Sequence, residues 1–185
     1  MTESSQNHTS RLHWAILFGV ALTLIVIDQI AKAIIVANFE LYETWIPIPA
    51  LGRVFDITYT QNTGAAFGMF SSAGTFFLIV AGIATLVIIH YYRQIDEDAW
   101  PLRLAMGMQL GGALGNAIDR LTRGFVVDFI HVHYQPHFDY PVFNIADGSI
   151  VIGVGMLLLL IWREDREKTR QQEALAVVPE EEQSV

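Results

Sequence analysis

The sequence predicts an α-helical integral membrane protein with four membrane-spanning helices. Of its 185 residues, 52% are hydrophobic and only 16% are charged, and the mean hydropathy is +0.38. Ordinary soluble domains are about a quarter charged. The apolar residues gather in four stretches, which are separated by polar or proline-containing connections. This apolar content also argues against a disordered chain.

The first predicted span covers about residues 12–37, after a polar N-terminal tail at 1–11. At 1.5 Å per residue, this stretch is long enough to cross a hydrocarbon core of about 30 Å. The polar segment 28–32 follows its apolar part, where a removed signal peptide would carry a small-residue cleavage site. We therefore interpret the stretch as a retained helix.

A connection of different character follows, and then the second span. Pro47 and Pro49 interrupt any helix in this connection, and residues 54–60 are rich in β-branched and aromatic residues, which predicts a strand. The second span covers about residues 70–92 and contains a long run without charge.

The third and fourth spans complete the membrane domain, which extends over residues 12–162. The third span, at about 102–120, is the weakest and is rich in glycine. Residues 121–143 are predicted to be an amphipathic or irregular segment. The fourth span covers about residues 145–162, and a charged C-terminal tail follows at 163–185.

Four spans place both termini on the same side of the membrane, and the basic residues indicate which side. Seven lie on the side of the termini and three on the other. The seven are Arg11, Arg93, Arg103, Arg163, Arg166, Lys168 and Arg170, and the three are Arg53, Arg120 and Arg123. The positive-inside rule then places both termini in the cytoplasm.

The polar side chains within the spans are candidate functional residues. A charge at the centre of a span costs about 2.5–3.5 kcal/mol on insertion scales, so such residues are usually functional. With the predicted topology, all of them except Gln109 gather in one layer near the outer leaflet. This layer contains Asp28, Lys32, Asn62, Gly64, Asn116, Asp119, Arg120, Asp128, Asn144 and Asp147.

Structural roles are open for several residues of the predicted spans. Asp28 and Lys32 lie four residues apart on one helix face, where they can form an ion pair. Gly107, Gly111 and Gly115 form a stripe at the same spacing. Such a stripe lets a neighbouring helix approach closely, and we favour this packing role for the glycines.

Two aspartates at the outer membrane boundary form a candidate catalytic pair. Asn144 and Asp147 have the spacing of a helix N-cap and its N3 partner, and Asp128 is open to a role as a loop residue or as a partner of Arg123. If Asp128 and Asp147 lie close together in a low dielectric, both cannot ionise easily, so one holds a proton. One carboxyl group can then activate water while the other acts as an acid.

Other catalytic chemistries have weaker support in the sequence. The spacing of His131, His133 and His137 differs from His-Glu-x-x-His, and the tyrosines and prolines around them predict an interfacial loop with aromatic anchors. Metal binding by these histidines is therefore the less favoured alternative. No Gly-x-Ser-x-Gly, P-loop or dinucleotide fingerprint occurs in the sequence. The composition also gives no support to a nucleic acid partner, because the net charge is −8 and nucleic acid favours basic surfaces.

Five sequence blocks occur in an order that is typical of one family. They are Asp28-Gln-Ile-Ala-Lys32, Asn62-Thr-Gly-Ala-Ala-Phe67, Gly111-Gly-Ala-Leu-Gly-Asn-Ala-Ile-Asp-Arg120, Gly124-Phe-Val-Val-Asp-Phe129 and Phe143-Asn-Ile-Ala-Asp147. With these blocks, the chain resembles the signal peptidase II family, the lipoprotein signal peptidases, over about residues 16–162. These are bacterial aspartic proteases that cut prolipoproteins.

The resemblance implies a site and a fold. Asp128 and Asp147 would form the catalytic pair, without a metal ion or another cofactor. Residues that line or support the site would be Asp28, Lys32, Asn62, Gly64, Gly112, Asn116, Arg120, Asn144 and Ala146. A small extracytoplasmic β-cradle would form at about residues 40–63, and the segment after Arg120 would supply a periplasmic connecting helix or lid.

The resemblance also implies a substrate and a location. The substrate would be a prolipoprotein that already carries diacylglycerol on its cysteine, with cleavage just before that cysteine. The enzyme would be a monomer among the lipids of the bacterial cytoplasmic (inner) membrane, with its active site near the outer face. From the residues alone, a proton-coupled transporter and a structural membrane protein are the alternatives.

Overall fold

A computed structural model describes residues 3–64, 73–96, 99–134 and 136–176. Over these ranges the chain forms four α-helices and one small antiparallel sheet. The helices are α1 (Glu3–Asn38), α2 (Ala73–Tyr92), α3 (Trp100–Thr122) and α4 (Ile145–Ala176), and a short 3-10 helix covers Pro49–Leu51. The strands are β1 (Thr44–Trp45), β2 (Phe55–Asn62), β3 (Val126–Tyr134) and β4 (Phe138–Asp139), in the order β1-β2-β3-β4.

Three of the helices are long and apolar enough to cross a membrane. The spanning stretches are His13–Asn38 in α1, Gly74–Tyr92 in α2 and Ile145–Glu173 in α4. These stretches correspond to the first, second and fourth predicted spans. Parts of the prediction that fall on residues 1–2, 65–72 and 177–185 lie outside the described residues, including Phe67 of the second block.

Helix α3 is the central helix and packs against α1, α2 and α4. Its glycines make the close approach possible. A Cβ on Gly107 would lie 3.2 Å from the backbone oxygen of Leu17, and one on Gly111 would lie 2.9 Å from that of Ala21. The contact residues follow the same order along both helices, so α1 and α3 run in the same direction. The predicted packing role of the glycine stripe is confirmed.

Helices α2 and α4 run in the opposite direction to α1 and α3. The backbone of Gly153 in α4 lies against Ala105 near the start of α3, while Gly112 lies against Ala146 at the start of α4. Tyr92, the last residue of α2, donates a hydrogen bond to the carbonyl of His13. At this end of the bundle the core is apolar and consists of Leu17, Ala21, Ile88, Tyr92, Met106 and Leu110.

The outward faces of α1, α2 and α4 are apolar. They expose large side chains that a soluble protein would bury, and these include Ile30, Ile34, Phe76, Ile83, Leu86, Val151, Leu158 and Ile161. A helix with apolar residues on its outward as well as its inward face is typical of a lipid environment.

The sheet covers the end of the bundle opposite this apolar core. Strand β2 confirms the strand predicted at 54–60. The sheet packs on α1 through a cluster that contains Ile35, Tyr59, Val127 and Phe129. Because side chains alternate along a strand, Val127 and Phe129 face α1 while Asp128 faces the other way.

The prediction for residues 121–143 was wrong in its secondary structure. Helix α3 ends at Thr122, and β3 and β4 follow it, where an irregular segment or a connecting helix was expected. His131 and His133 accordingly lie on a strand and not in an interfacial loop. Pairing with β2 explains the difference, because β3 is held by a long antiparallel register from Phe55↔Val132 to Asn62↔Val126.

We predict that Gly112→Ala destabilises the bundle. The new Cβ would overlap the Ala146 carbonyl oxygen and lie 2.5 Å from the Ser149 Oγ, so α3 and α4 would have to separate. Overpacking of this kind costs about 1–3 kcal/mol, which should lower the thermal unfolding midpoint of the purified protein.

Gly155→Ala is the matched control for this substitution. Gly155 is also helical, but a Cβ there would meet no atom within 4 Å, and alanine is intrinsically favoured over glycine in a helix. Equal unfolding midpoints for the two variants would contradict the packing role of Gly112.

Candidate active site

The N-terminus of α4 fixes the position of Asp147. The backbone amide of Asp147 donates to Asn144 Oδ1 at 2.9 Å, and the backbone amide of Asn144 donates to Asp147 Oδ2 at 3.2 Å. This reciprocal pair is a capping box in which the carboxylate occupies the N3 position. A negative charge is also favourable in the first turn of a helix. The predicted N-cap spacing is therefore confirmed.

Asp128 is brought to the same place by β3. Its side chain is buried, with a relative exposure of 2% for the residue, and both carboxylate oxygens accept hydrogen bonds. Asn62 Nδ2 donates to Oδ2 at 2.9 Å, and Asn144 Nδ2 donates to Oδ1 at 2.6 Å. Asn62 is itself oriented because its Oδ1 accepts the backbone amide of Gly64 at 2.8 Å, which has a φ of 75° that favours glycine.

A pair of asparagines connects the two carboxylates. Asn116 Nδ2 donates to Asp147 Oδ1 at 2.7 Å, and Asn144 Nδ2 donates to Asn116 Oδ1 at 3.2 Å. Asn144 therefore contacts Asp128, Asp147 and Asn116 together. The predicted pair of carboxylates thus lies within one hydrogen-bonded network, although the two residues come from a strand and a helix.

The environment of Asp128 favours its protonated form. Burial raises the pKa of Asp128 to about 6, and the nearby Asp147 carboxylate acts in the same direction. Hydrogen bonds from Asn62 and Asn144 lower the pKa and so limit the shift. A carboxyl group whose pKa lies this close to neutrality can give and take a proton at working pH.

Both carboxylates line a cavity of about 870 Å³ that has one polar and one apolar wall. The apolar wall comes mainly from α2, through Phe77, Val80, Ala81, Ala84 and Ile88. The polar wall includes Asn62, Gly64, Asn116 and Arg120. The guanidinium of Arg120 stacks on the Phe77 ring with its Cζ 4.9 Å from the centroid, which joins the two walls.

Lys32 is the centre of a buried ionic cluster behind the cavity. Its side chain is fully buried, and its Nζ lies 2.8 Å from Asp28 Oδ2, 3.0 Å from Asp119 Oδ2 and 2.9 Å from Asn116 Oδ1. An ammonium group has three N–H donors, so each has an acceptor here. The predicted ion pair between Asp28 and Lys32 is present.

The cluster is balanced in charge and ties several elements together. Arg123 forms an ion pair with Asp119, so two cations face two carboxylates. Asp28 Oδ1 accepts the backbone amide of Ala146 at 3.0 Å, and Asp119 Oδ2 accepts that of Val127 at 3.1 Å. These bonds attach the start of α4 and the start of β3 to α1 and α3. The suggestion that Arg123 pairs with Asp128 was wrong, since Asp119 is its partner.

The residues predicted for the site all lie at this end of the bundle. Gly112 contributes by letting α4 approach α3, and the others line the cavity or belong to the two networks. Asp119 was expected in the polar layer but not among the residues that the resemblance assigns to the site, and it belongs to the ionic cluster. Gln29 was missed, and its Nε2 donates to Asp119 Oδ1 at 3.1 Å. The apolar α2 wall carries no distinguishing signal in the sequence.

Comparison with known proteins identifies the family to which this architecture belongs. The family model for signal peptidase (SPase) II matches residues 20–163. The chain belongs to the signal peptidase II family. A protein of Syntrophotalea carbinolica named lipoprotein signal peptidase is 42% identical over 153 residues, covering 80% of this chain and 92% of that protein. The lipoprotein signal peptidase of Bacillus subtilis is 38% identical, covering 84% of this chain and 98% of the relative.

Solved structures of similar fold are also known. Two bacterial membrane enzyme structures determined by the in meso method match this chain with TM-scores of 0.72 and 0.71. Their sequence identities are 31% and 32%, and they cover 82% and 78% of this chain. The family resemblance drawn from the five sequence blocks is therefore confirmed. Membership makes this chain a membrane-embedded aspartic protease of the signal peptidase II type.

We predict that Lys32→Met strongly destabilises the protein. The substitution retains much of the side-chain volume but leaves the buried carboxylates of Asp28 and Asp119 without their shared cation. Removing one partner of a buried ion pair costs about 3–5 kcal/mol, which thermal unfolding of the purified protein in detergent would measure.

Lys168→Met provides a control with the same helical spacing. Lys168 pairs with Glu164 at 2.6 Å, but both side chains are exposed, and exposed pairs contribute little. The unfolding midpoint of this variant should match that of the wild type. An equally small effect for Lys32→Met would show that the buried cluster does not stabilise the fold.

Proposed function

We propose that Asp128 and Asp147 are the catalytic residues of an intramembrane endopeptidase that removes signal peptides from diacylglyceryl-modified prolipoproteins. The cut falls just before the lipidated cysteine. One observation carries this assignment: both carboxylates line the same half-apolar cavity, and each accepts an amide hydrogen bond from a different asparagine. The lipoprotein signal peptidases that this chain resembles supply the substrate class.

The reaction needs one proton shared by the two carboxyl groups. We assign this proton to Asp128, since burial raises its pKa, and the role of base to Asp147. Asp147 takes a proton from water as the water attacks the scissile carbonyl carbon, while Asp128 donates its proton to the carbonyl oxygen. When the tetrahedral intermediate collapses, the C–N bond breaks and the departing cysteine amine takes a proton from Asp147. A hydroxyl group of the intermediate returns its proton to Asp128 as the carbonyl re-forms, which restores the starting state.

The two walls of the cavity suit the two parts of this substrate. Acyl chains attached to the cysteine remain in the bilayer, and the α2 wall offers them an apolar surface. The peptide backbone needs hydrogen-bond partners, which lie on the opposite wall at Asn62, Asn116 and Arg120. We place the scissile bond between these walls, at the height of the carboxylates.

We place the site near the outer face of the bacterial cytoplasmic (inner) membrane. In this arrangement α3 is a fourth span, shielded from lipid by α1, α2 and α4. The tails at 1–11 and 163–185 then face the cytoplasm, in agreement with the seven basic residues on that side of the membrane against three on the other. The sheet lies on the extracytoplasmic side, where β3 and β4 take the covering position expected of a connecting helix or lid. We also propose that the chain acts as a monomer, which is compatible with a site whose two carboxylates and hydrogen-bond partners lie on one chain.

A proton-coupled transporter is less compatible with this bundle. Such a protein needs polar groups that continue through the membrane. Here the end of the bundle away from the carboxylates is closed by apolar residues that include Leu17, Met106 and Leu110. The bundle therefore offers a site that opens to one side.

Replacing either aspartate by asparagine should abolish cleavage. Asp128→Asn and Asp147→Asn keep the side-chain size but remove the carboxyl proton transfer, so neither variant should process a diacylglyceryl-modified precursor in a gel-shift assay. Unfolding midpoints close to that of the wild type would show that the variants fold.

Asp96→Asn is the matched control for these variants. Asp96 is exposed, in the connection between α2 and α3, and its amide variant should cleave normally. Wild-type turnover by Asp128→Asn or Asp147→Asn would remove that residue from the catalytic pair. The unlipidated precursor should not be processed by the wild type, and its efficient cleavage would refute the proposed lipid requirement.

The pH dependence of cleavage should respond to Asn62. In the wild type, the alkaline limb of the kcat/KM profile should lie near the pKa of about 6 of Asp128, because its deprotonation removes the acid. Asn62 donates to the ionised carboxylate and so favours it. In Asn62→Ala, Asp128 should therefore keep its proton to higher pH. The alkaline limb of the kcat/KM profile should move to higher pH in this variant.

Gln61→Ala serves as the neighbouring control for the pH profile. Gln61 donates to the Tyr59 hydroxyl at 2.9 Å and has no hydrogen bond to Asp128 within the described residues. Its profile should match that of the wild type. A limb that stays in place or moves to lower pH in Asn62→Ala would contradict the role assigned to Asp128.

A further inference from the structure

A second cluster of titratable residues lies on the sheet, away from the catalytic pair. Asp56 on β2 is directly paired with His131 on β3, and His133 is two residues further along the same strand. Since side chains alternate along a strand, His131 and His133 project from the same face. One ligand atom from each of Asp56, His131 and His133 lies within 4.8 Å of the other two.

The distances from Asp56 to the two histidines match those between ligands of one small cation. His133 Nε2 lies 2.9 Å from Asp56 Oδ2, and His131 Nδ1 lies 3.2 Å from both oxygens of Asp56. Ligands bound to tetrahedral Zn²⁺ at 2.0–2.1 Å lie about 3.3 Å apart. Histidine nitrogen and carboxylate oxygen are also ligand types that Zn²⁺ accepts.

Two further side chains orient these groups from outside. The Thr58 hydroxyl donates to Asp56 Oδ1 at 2.6 Å. On the other side, His131 Nε2 lies 2.8 Å from Asp139 Oδ1 on β4. A histidine that donates one N–H to a carboxylate presents the lone pair of its other nitrogen, as metal-ligating histidines commonly do. Here that nitrogen is Nδ1, which faces Asp56.

His133 has ring nitrogens that the protein itself does not satisfy. Both are buried, and neither has a hydrogen bond to any residue in the described part of the chain. The Asp56 carboxylate is near Nε2 but is not aligned with it as a hydrogen-bond acceptor. Buried polar side-chain atoms usually have a partner, and a cation between His133, His131 and Asp56 would supply one for Nε2.

We propose that Asp56, His131 and His133 form a Zn²⁺ site that joins β2 to β3. Asp139 positions His131 and Thr58 positions Asp56. The ion would cross-link the two strands about 10 Å along β3 from Asp128, given a rise of about 3.3 Å per residue. It would therefore stabilise the strand that carries Asp128 while remaining outside the cavity. The site does not depend on the proposed catalytic roles.

The test is a Zn²⁺ titration of the full-length protein, purified in detergent and stripped with EDTA, by calorimetry at neutral pH. We expect one Zn²⁺ per chain, and a loss of at least about tenfold in affinity in Asp56→Asn and in His133→Asn. Asp139→Asn should bind about 10- to 100-fold more weakly, the usual effect of removing a group that orients a metal-ligating histidine.

Two control variants test whether Zn²⁺ binds at this cluster and not at a nearby histidine or at the cavity. His137, in the turn between β3 and β4, lies outside the cluster, so His137→Asn should bind Zn²⁺ as the wild type does. Asp128→Asn should also bind normally, which keeps the test independent of catalysis. Loss of Zn²⁺ binding in Asp128→Asn would move the ion to the cavity and overturn the proposal.

A Co²⁺ titration of the wild type tests the geometry without any variant. Intense visible d–d absorption is expected from a tetrahedral site with nitrogen and oxygen ligands, and the weak absorption of an octahedral ion would contradict it.

If the cluster is instead an ion pair of protonated histidines with Asp56, Zn²⁺ will not bind in a one-to-one ratio. That result would overturn the proposal, as would undiminished binding in both Asp56→Asn and His133→Asn.

Discussion

The ammonium group of Lys32 must be neutralised where water is excluded, and this requirement determines how the site is arranged. Asp28, Asp119 and Asn116 each provide one acceptor, and this arrangement also fixes which way the Asn116 amide points. With its oxygen on Lys32, its nitrogen must face Asp147. The charge cluster thus sets the direction of a hydrogen bond at the cavity, although Lys32 itself lies behind it.

The same requirement explains why the central helix, α3, lacks an apolar stretch like those of the three helices that face lipid. Lipid would penalise the polar residues of α3, but α1, α2 and α4 surround it and supply partners. Gly107 and Gly111 allow this enclosure because they bring α1 within contact distance. Low hydropathy in α3 is therefore a consequence of its position. Hydropathy alone therefore identifies the three helices that face lipid as membrane spans. It does not identify α3, which carries Asn116 and Asp119.

The sequence predicted the parts of the fold that depend on local patterns. Apolar runs located the spans, the Asn144–Asp147 spacing located the cap of α4, and polar residues at similar depth were expected to meet. Strand β3 was not predicted although residues 130–134 alternate apolar and polar side chains, a pattern typical of strands. The tyrosines and prolines that follow favoured a loop instead. The apolar α2 wall of the cavity was not predicted either, because an unbroken apolar run does not show which face of the helix lines a cavity.

The distribution of the site along the chain bears on how the protein is made. Asp128 is on a strand that precedes the last helix, whereas Asp147 and Asn144 are at the very start of that helix. Until α4 docks against α3, Asp128 lacks the Asn144 hydrogen bond and Asp147 lacks that of Asn116. On the proposed assignment, the nascent chain is inactive throughout its synthesis and becomes a protease only when its final helix is in place. The order of the elements along the chain thus delays assembly of the site until α4 has docked.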